Sequence, residues 1–196
     1  RIANVTIRQT SSDEWYALDC AQGQFDIIGC DISSRGLACV GIHDGAHPRL
    51  RRNRIHDSQR DSGIFIYSLG QGVIEHNEII GNAHTGIDIE STAPPLVRGN
   101  MIRGNGQSGI FITDHGQAII EENEITANGF AGIELASGAR LQVRRNWITG
   151  NGDQGIAVAD GAGGIFEEND LRHNAQGAWL IAPECMEQVQ RARNQE

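Results

Sequence analysis

Residues 109–131 read Gly-Ile-Phe-Ile-Thr-Asp-His-Gly-Gln-Ala-Ile-Ile-Glu-Glu-Asn-Glu-Ile-Thr-Ala-Asn-Gly-Phe-Ala, and the chain then starts the same pattern again with Gly132-Ile133-Glu134-Leu135. Gly109 and Gly132, Asn123 and Asn146, and Asn128 and Asn151 are each 23 residues apart. A fixed period of this size is the mark of a solenoid, in which each unit buries its apolar side chains only by stacking on its neighbours. Within the unit, Ile110 and Ile112 flank Phe111, and a second alternating stretch runs through Ile120 to Ile125. Two short segments of period two, each bounded by Gly and Asn, read as strands separated by tight turns, and neither is long enough for a helix with an apolar stripe.

The pattern extends both ways along the chain. Asn53, Asn77, Asn100, Asn123, Asn146 and Asn169 are spaced by 24 and then four times by 23 residues. Asn82, Asn105, Asn128, Asn151 and Asn174 form a second column, and Gly63, Gly86, Gly109, Gly132 and Gly155 a third, every step 23. Upstream, Val40-Gly41-Ile42 aligns with Ile64-Phe65-Ile66, and Cys30 stands in the frame of the first asparagine column. At a strand spacing of about 4.8 Å, seven to eight such coils make a stack roughly 35 Å tall.

The fold class is therefore all-β, a single-stranded right-handed parallel β-helix over residues 1–182, with 183–196 as a tail or short capping helix. A leucine-rich horseshoe shares the period, but 25 Ile stand against 9 Leu, and β-branched residues suit a pleated surface in both halves of the coil. Inward asparagines at corners would satisfy backbone groups that a bend orphans. The glycine column implies either a close approach or positive φ. Two residues before the first asparagine column run Arg51, Glu75, Arg98, Glu121, Arg144 and Glu167, alternating in sign. This outward ladder would oppose slips of one coil.

Composition narrows the function. The net charge is −9, and all 16 basic residues are Arg; an acidic field repels phosphate backbones, so nucleic acid is not an expected partner. No apolar run reaches the length of a membrane span, and none reads as a signal peptide, so the compartment stays open. Cys20, Cys30, Cys39 and Cys185 follow no metal spacing and are expected to be buried free thiols. The chain opens inside a strand-like segment without Met, which suggests part of a longer chain.

The expected site lies on the segment that begins each unit. With the isoleucines at 64, 87, 110, 133 and 156 inward, the next column outward is Phe65, Asp88, Phe111, Glu134 and Ala157, followed by Tyr67, Glu90 and Thr113. Exposed Phe65 and Phe111 beside Asp88, Glu90 and Glu134 would meet a sugar, a cationic peptide or an Arg-bearing partner. Asp88 and Glu90 are about 6.5–7 Å apart, and Asp88 and Glu134 roughly 9.6 Å. Those separations overlap the range of inverting glycosidases, as they would on any β-helix face with a few acids. Asp114-His115 and His43-Asp44 read as decoration of exposed turns, with Asp114 and His115 the further acid–base candidates. Asp88, Glu90 and Asp114 could together hold Ca2+, though no Asp-Gly calcium repeat occurs and no cofactor is expected.

Gly72-Val73-Ile74-Glu75-His76-Asn77-Glu78-Ile79, Leu141-Gln142-Val143-Arg144-Arg145-Asn146-Trp147-Ile148 and Gly164-Ile165-Phe166-Glu167-Glu168-Asn169-Asp170-Leu171 resemble right-handed β-helix repeats of the carbohydrate-binding and sugar-hydrolase (CASH) type. The likeness is especially to the repeat region of F-box-only protein 11 and its bacterial relatives. It implies architecture more than activity, because such repeats serve lyases, epimerases and recognition modules alike. The enzyme branches, as the resemblance implies, use an Arg or Lys base, an Asp-Pro-His motif in alginate epimerases, or a Gly-His-Gly in polygalacturonases. The strip has no Arg or Lys, and neither motif occurs. Uniform coils also leave no long loops to wall a groove. The expected function is a non-catalytic recognition or scaffold module for a protein or polysaccharide partner. The alternative is a polysaccharide lyase, epimerase or inverting hydrolase using the same carboxylates.

Overall fold

A computed structural model describes residues 1–196. The chain winds into a right-handed parallel solenoid of about eight turns, about 23 residues apart. All strand pairs are parallel, and each joins one coil to the next. One coil comprises Val73–Glu75, Glu78–Ile80 and Ile87–Glu90. Their equivalents build a first sheet of 9 strands, a second of 7 and a third of 8.

Each coil thus has three strands where the sequence pattern suggested two. The stretch from Val73 to Ile80 is cut at His76, whose φ of 54° turns the backbone sharply before Asn77. The same left-handed corner recurs at Arg52 (53°), Glu122 (59°), Arg145 (54°) and Glu168 (57°). Each such residue outside glycine costs roughly 1 kcal/mol, so the surroundings must enforce the bend.

The asparagine that follows each corner does so. Asn100 Nδ2 donates to Asn123 Oδ1 at 3.0 Å and to Ile74 O at 2.8 Å, while the Asn100 backbone N–H donates to Asn123 Oδ1 at 2.9 Å. Asn77, Asn123, Asn146 and Asn169 repeat the set. At one end the Cys30 N–H donates to Asn53. At the other, Asn194 takes the place of the next asparagine. The second column, Asn82 to Asn174, is built the same way and closes on the Ser58 N–H. Both columns are buried.

Inside the triangle formed by the three sheets, 35 buried side chains form one core, most of them Ile. Each fully buried Ile contributes about 2–3 kcal/mol of transfer free energy, and the stack gains it only coil by coil. The glycine column resolves to close approach rather than positive φ: a Cβ on Gly132 would lie 2.1 Å from Ile148 Cγ2 and 2.8 Å from Gly155 O.

Register on the first sheet pairs Arg51 with Glu75, Glu75 with Arg98, Arg98 with Glu121, Glu121 with Arg144 and Arg144 with Glu167. The column is not uniformly outward and exposed. Glu75 is 2% exposed, held between the guanidinium groups of Arg49 and Arg98, and Glu121 is buried under Arg144. Glu is shorter than Arg, so the carboxylate sits down on the sheet while the longer side chains fold over it.

The four cysteines are buried and unpaired. Residues beyond 182 form a 3-10 helix, Pro183–Gln188, and then a strand, Val189–Ala192, which adds to the first sheet beside Gly163–Glu167. No helix is long and apolar enough to cross a membrane.

Candidate functional site

The outer face of the third sheet carries the aromatic and acidic residues together. Parallel register sets Phe65 beside Asp88, Asp88 beside Phe111 and Phe111 beside Glu134, one coil apart at each step. In the next column, Tyr67 lies beside Glu90. This follows from strict alternation: with Ile64, Ile66, Ile87 and Ile89 buried, the residues between them must face out.

Phe65 and Phe111 are half-buried rather than exposed, and so are Tyr67, Asp88, Glu90 and Glu134. Phe65 and Phe111, two coils apart, flank the Asp88 carboxylate between them. Phe65 and Tyr67 stack at 4.7 Å with planes 19° apart, and His43 stacks on Tyr67 at 4.8 Å and 17°. The result is a stack of three rings, in which Phe65 and His43 cover the faces of Tyr67.

Asp88, between the two phenyl rings, has a buried Oδ1 with no hydrogen-bond partner. Burial, and then the charges of Glu90 and Asp61, push its carboxyl up to about 7. Glu90 is raised too, first by burial and then by Asp114 and Asp61. A carboxylic acid held neutral near pH 7 can donate a hydrogen bond or a proton, which an ordinary surface aspartate cannot. Glu134 is engaged differently, as acceptor of a 2.6 Å hydrogen bond from Ser108 Oγ.

His43 was expected to decorate an exposed turn; it is instead half-buried at the end of the strand Val40–His43. Its Nε2 lies 2.7 Å from Asp19 Oδ1 and its Nδ1 3.1 Å from Asp44 Oδ2. Burial alone would lower its pKa, but the two carboxylates outweigh burial and raise it. The Tyr16 hydroxyl lies 3.4 Å from that of Tyr67, and burial, followed by that contact, raises the Tyr16 phenol.

Of the residues expected from sequence, Phe65, Tyr67, Asp88, Glu90, Phe111 and Glu134 share one face. Asp114 stands in the following turn, near enough to influence both central carboxyls. His115 is exposed and lies over Gly138 of the next turn. No group of three or more His, Cys, Asp or Glu is arranged to hold a metal ion, and Asp88, Glu90 and Asp114 are not drawn together as such a group.

Tyr16, Asp19 and His43 join this face without having been singled out for it. His43 was within reach, since aligning Val40-Gly41-Ile42 with Ile64-Phe65-Ile66 puts it in the Tyr67 column. Tyr16 lies before the repeat, and no periodic signal marks it.

The clefts of the molecule lie elsewhere. One of about 290 Å3 is lined by Arg8, Ser33, Arg35, His56, Asp57 and Gln59, among others, with no apolar wall.

The sequence matches the family described as "Right handed beta helix region" over residues 1–146 and 91–187. Among solved structures, the periplasmic alginate epimerase AlgG T265N T268M double mutant is similar, with a TM-score of 0.80 and 20% identity over 93% of this chain and 48% of that one. The A-module of the Azotobacter vinelandii mannuronan C-5 epimerase AlgE4 is similar at a TM-score of 0.58 and 19% identity, over 93% of this chain and 56% of that one. The chain thus spans about half the length of these structures, and at such identities the likeness is one of fold. The search of curated proteins found no match.

Proposed function

The chain belongs to the right-handed β-helix family, and from that premise we propose that it is a recognition module binding a polysaccharide along the outer face of its third sheet. The observation that carries this reading is the outward row of stacked rings, His43, Tyr67 and Phe65, beside the carboxyls of Asp88 and Glu90. Sugars present C–H groups to aromatic rings and hydroxyls to carboxylates. The resemblance of the repeats to the CASH type, and the likeness in fold to an alginate epimerase and a mannuronan epimerase, favour a polysaccharide over a protein partner.

A second reading, a polysaccharide-active enzyme, is favoured by Asp88, whose neutral acid form suits proton donation to a leaving group. The missing Asp-Pro-His motif argues against transfer of the epimerase chemistry to this chain. One experiment separates the two. A panel of neutral, uronic and amino-sugar oligosaccharides is tested for binding by calorimetry and for turnover by product analysis. Binding without turnover, weakened at least tenfold by Phe65→Ala or Tyr67→Ala, supports the recognition module. Turnover abolished by Asp88→Asn would replace it with the enzyme, and absence of binding to every sugar would overturn both.

A further inference from the structure

Charge on this molecule is strongly segregated. None of the eight strands of the third sheet contains an Arg, and neither do the turns that lead from it into the first sheet. All 16 basic residues lie on other faces or in other turns. On the other two sheets several carboxylates are matched with guanidinium groups: Glu75 with Arg49 and Arg98, Glu78 with Arg103, Glu121 with Arg144. Asp88, Glu90 and Asp114 have no such partner. Asp61 has only His84, at 4.0 Å.

An unneutralised carboxylate group flanked by aromatic rings disfavours its own charge, as the raised Asp88 and Glu90 show. Burial and mutual repulsion both oppose the charged form, and guanidinium partners are withheld from this face, whose imidazole at His43 is taken up by Asp19 and Asp44. A ligand that supplies the positive charge relieves both effects, whereas an anionic ligand adds to them. The same rings that stack on a sugar also attract an ammonium group over their faces.

Resting on the glycan-binding reading above, we infer that the ligand is a cationic glycan, an amino-sugar polymer whose ammonium groups meet Asp88 and Glu90 while its rings lie on Phe65 and Tyr67. The commitment to a glycan over a basic peptide follows from the recognition reading above and from the outward row of rings beside the carboxyls. The commitment to a cation follows from charge complementarity.

The test uses the whole chain and four probes in buffer near neutral pH, read by calorimetry: a glucosamine hexamer, its N-acetylated counterpart, a mannuronate hexamer and an Arg-rich peptide of equal charge. The glucosamine hexamer is expected to bind at least tenfold more tightly than the N-acetylated one, with affinity that falls as salt rises, and the mannuronate hexamer not at all. Asp88→Asn with Glu90→Gln should bring the two glucosamine-based hexamers to equal affinity, with circular dichroism confirming that the variant is folded. Equal binding of both by the wild type, or tighter binding of mannuronate, overturns the cationic class and leaves the glycan site standing. Binding of the peptide alone overturns the glycan site as well.

Discussion

Asn123 Oδ1 accepts two hydrogen bonds from Asn100, one from its backbone N–H at 2.9 Å and one from its side-chain amide at 3.0 Å. One oxygen therefore satisfies both the corner of the coil before it and the side chain that braces that corner. Removing it orphans two buried donors. Each orphan costs about 1–3 kcal/mol, so Asn123→Ala should destabilise the chain by about 2–5 kcal/mol, measured by urea unfolding. A loss below 1 kcal/mol would mean that the ladder merely accompanies the fold.

The glycines provide a second test, because two of them sit in the same coil for different reasons. A Cβ on Gly132 meets Ile148 Cγ2 and Gly155 O, while one on Gly150, at a φ of 67°, meets nothing within 4 Å. Gly150→Ala should cost only the left-handed strain, about 1 kcal/mol. Gly132→Ala should cost clearly more, because the coils must separate.

Asp88 makes stability depend on pH with a particular sign. Its folded value, about 7, lies above the ordinary aspartate value of about 3.9. The neutral acid is the form the fold tolerates, so the full stability is present below about pH 4 and is lost progressively as pH rises towards 7. Asp88→Asn removes this loss. The variant should match the wild type at pH 4 and exceed it at pH 8 by up to a few kcal/mol, as denaturant midpoints across that range would reveal. Equal stability at both pH values would place Asp88 in a more solvated setting than the structure shows.

Glu75 behaves in the opposite sense. Burial alone would raise its carboxyl, but hydrogen bonds from Arg98 and Arg49 outweigh burial and hold it below the usual glutamate value. Its contribution is present above the unfolded value, about 4.3, and falls away as pH drops through the depressed one. Glu75→Gln should cost about 1–3 kcal/mol at neutral pH and converge on the wild type in acid. Replacing Asp31, whose Arg54 contact at 3.5 Å is largely exposed, should lose less than 1 kcal/mol from that pair.

The thiols should be silent in the native state. Burial pushes both Cys20 and Cys39 up to about 12, and Cys39 Sγ also donates to His56 O at 3.3 Å. A thiol reagent at pH 8 is expected to label neither residue until denaturant is added, as mass spectrometry of tryptic peptides would show. Rapid labelling of either in buffer alone would contradict that burial.

Much of this architecture could be read from residue spacing, because a solenoid writes its tertiary contacts into its period. Asn53 to Asn169 and Asn82 to Asn174 define coils, register and core in advance of any coordinates. The third strand of each coil was hidden, since the left-handed corner falls on residues as unlike as Arg52, His76 and Glu122, and no residue type announces it. Asn194 escaped notice because the last coil is two residues longer, at 25 rather than 23. At the site, alternation alone placed Phe65, Asp88 and Phe111 on one face. The stacking of His43 on Tyr67 and the orphaned oxygen of Asp88 were not legible, because they depend on how side chains of successive coils settle against each other.

The asparagine columns have a mechanical consequence. The bonds that join one asparagine to the next run along the stack axis, in parallel with the strand hydrogen bonds of all three sheets. A pull along that axis must break several of these at once between any two coils. A pull on one terminus across the axis meets only the outermost coil, and peels the molecule like thread from a spool, one turn at a time. Resistance to force should therefore be strongly anisotropic, with the stiff direction the one in which neighbouring units of a longer stack would transmit load.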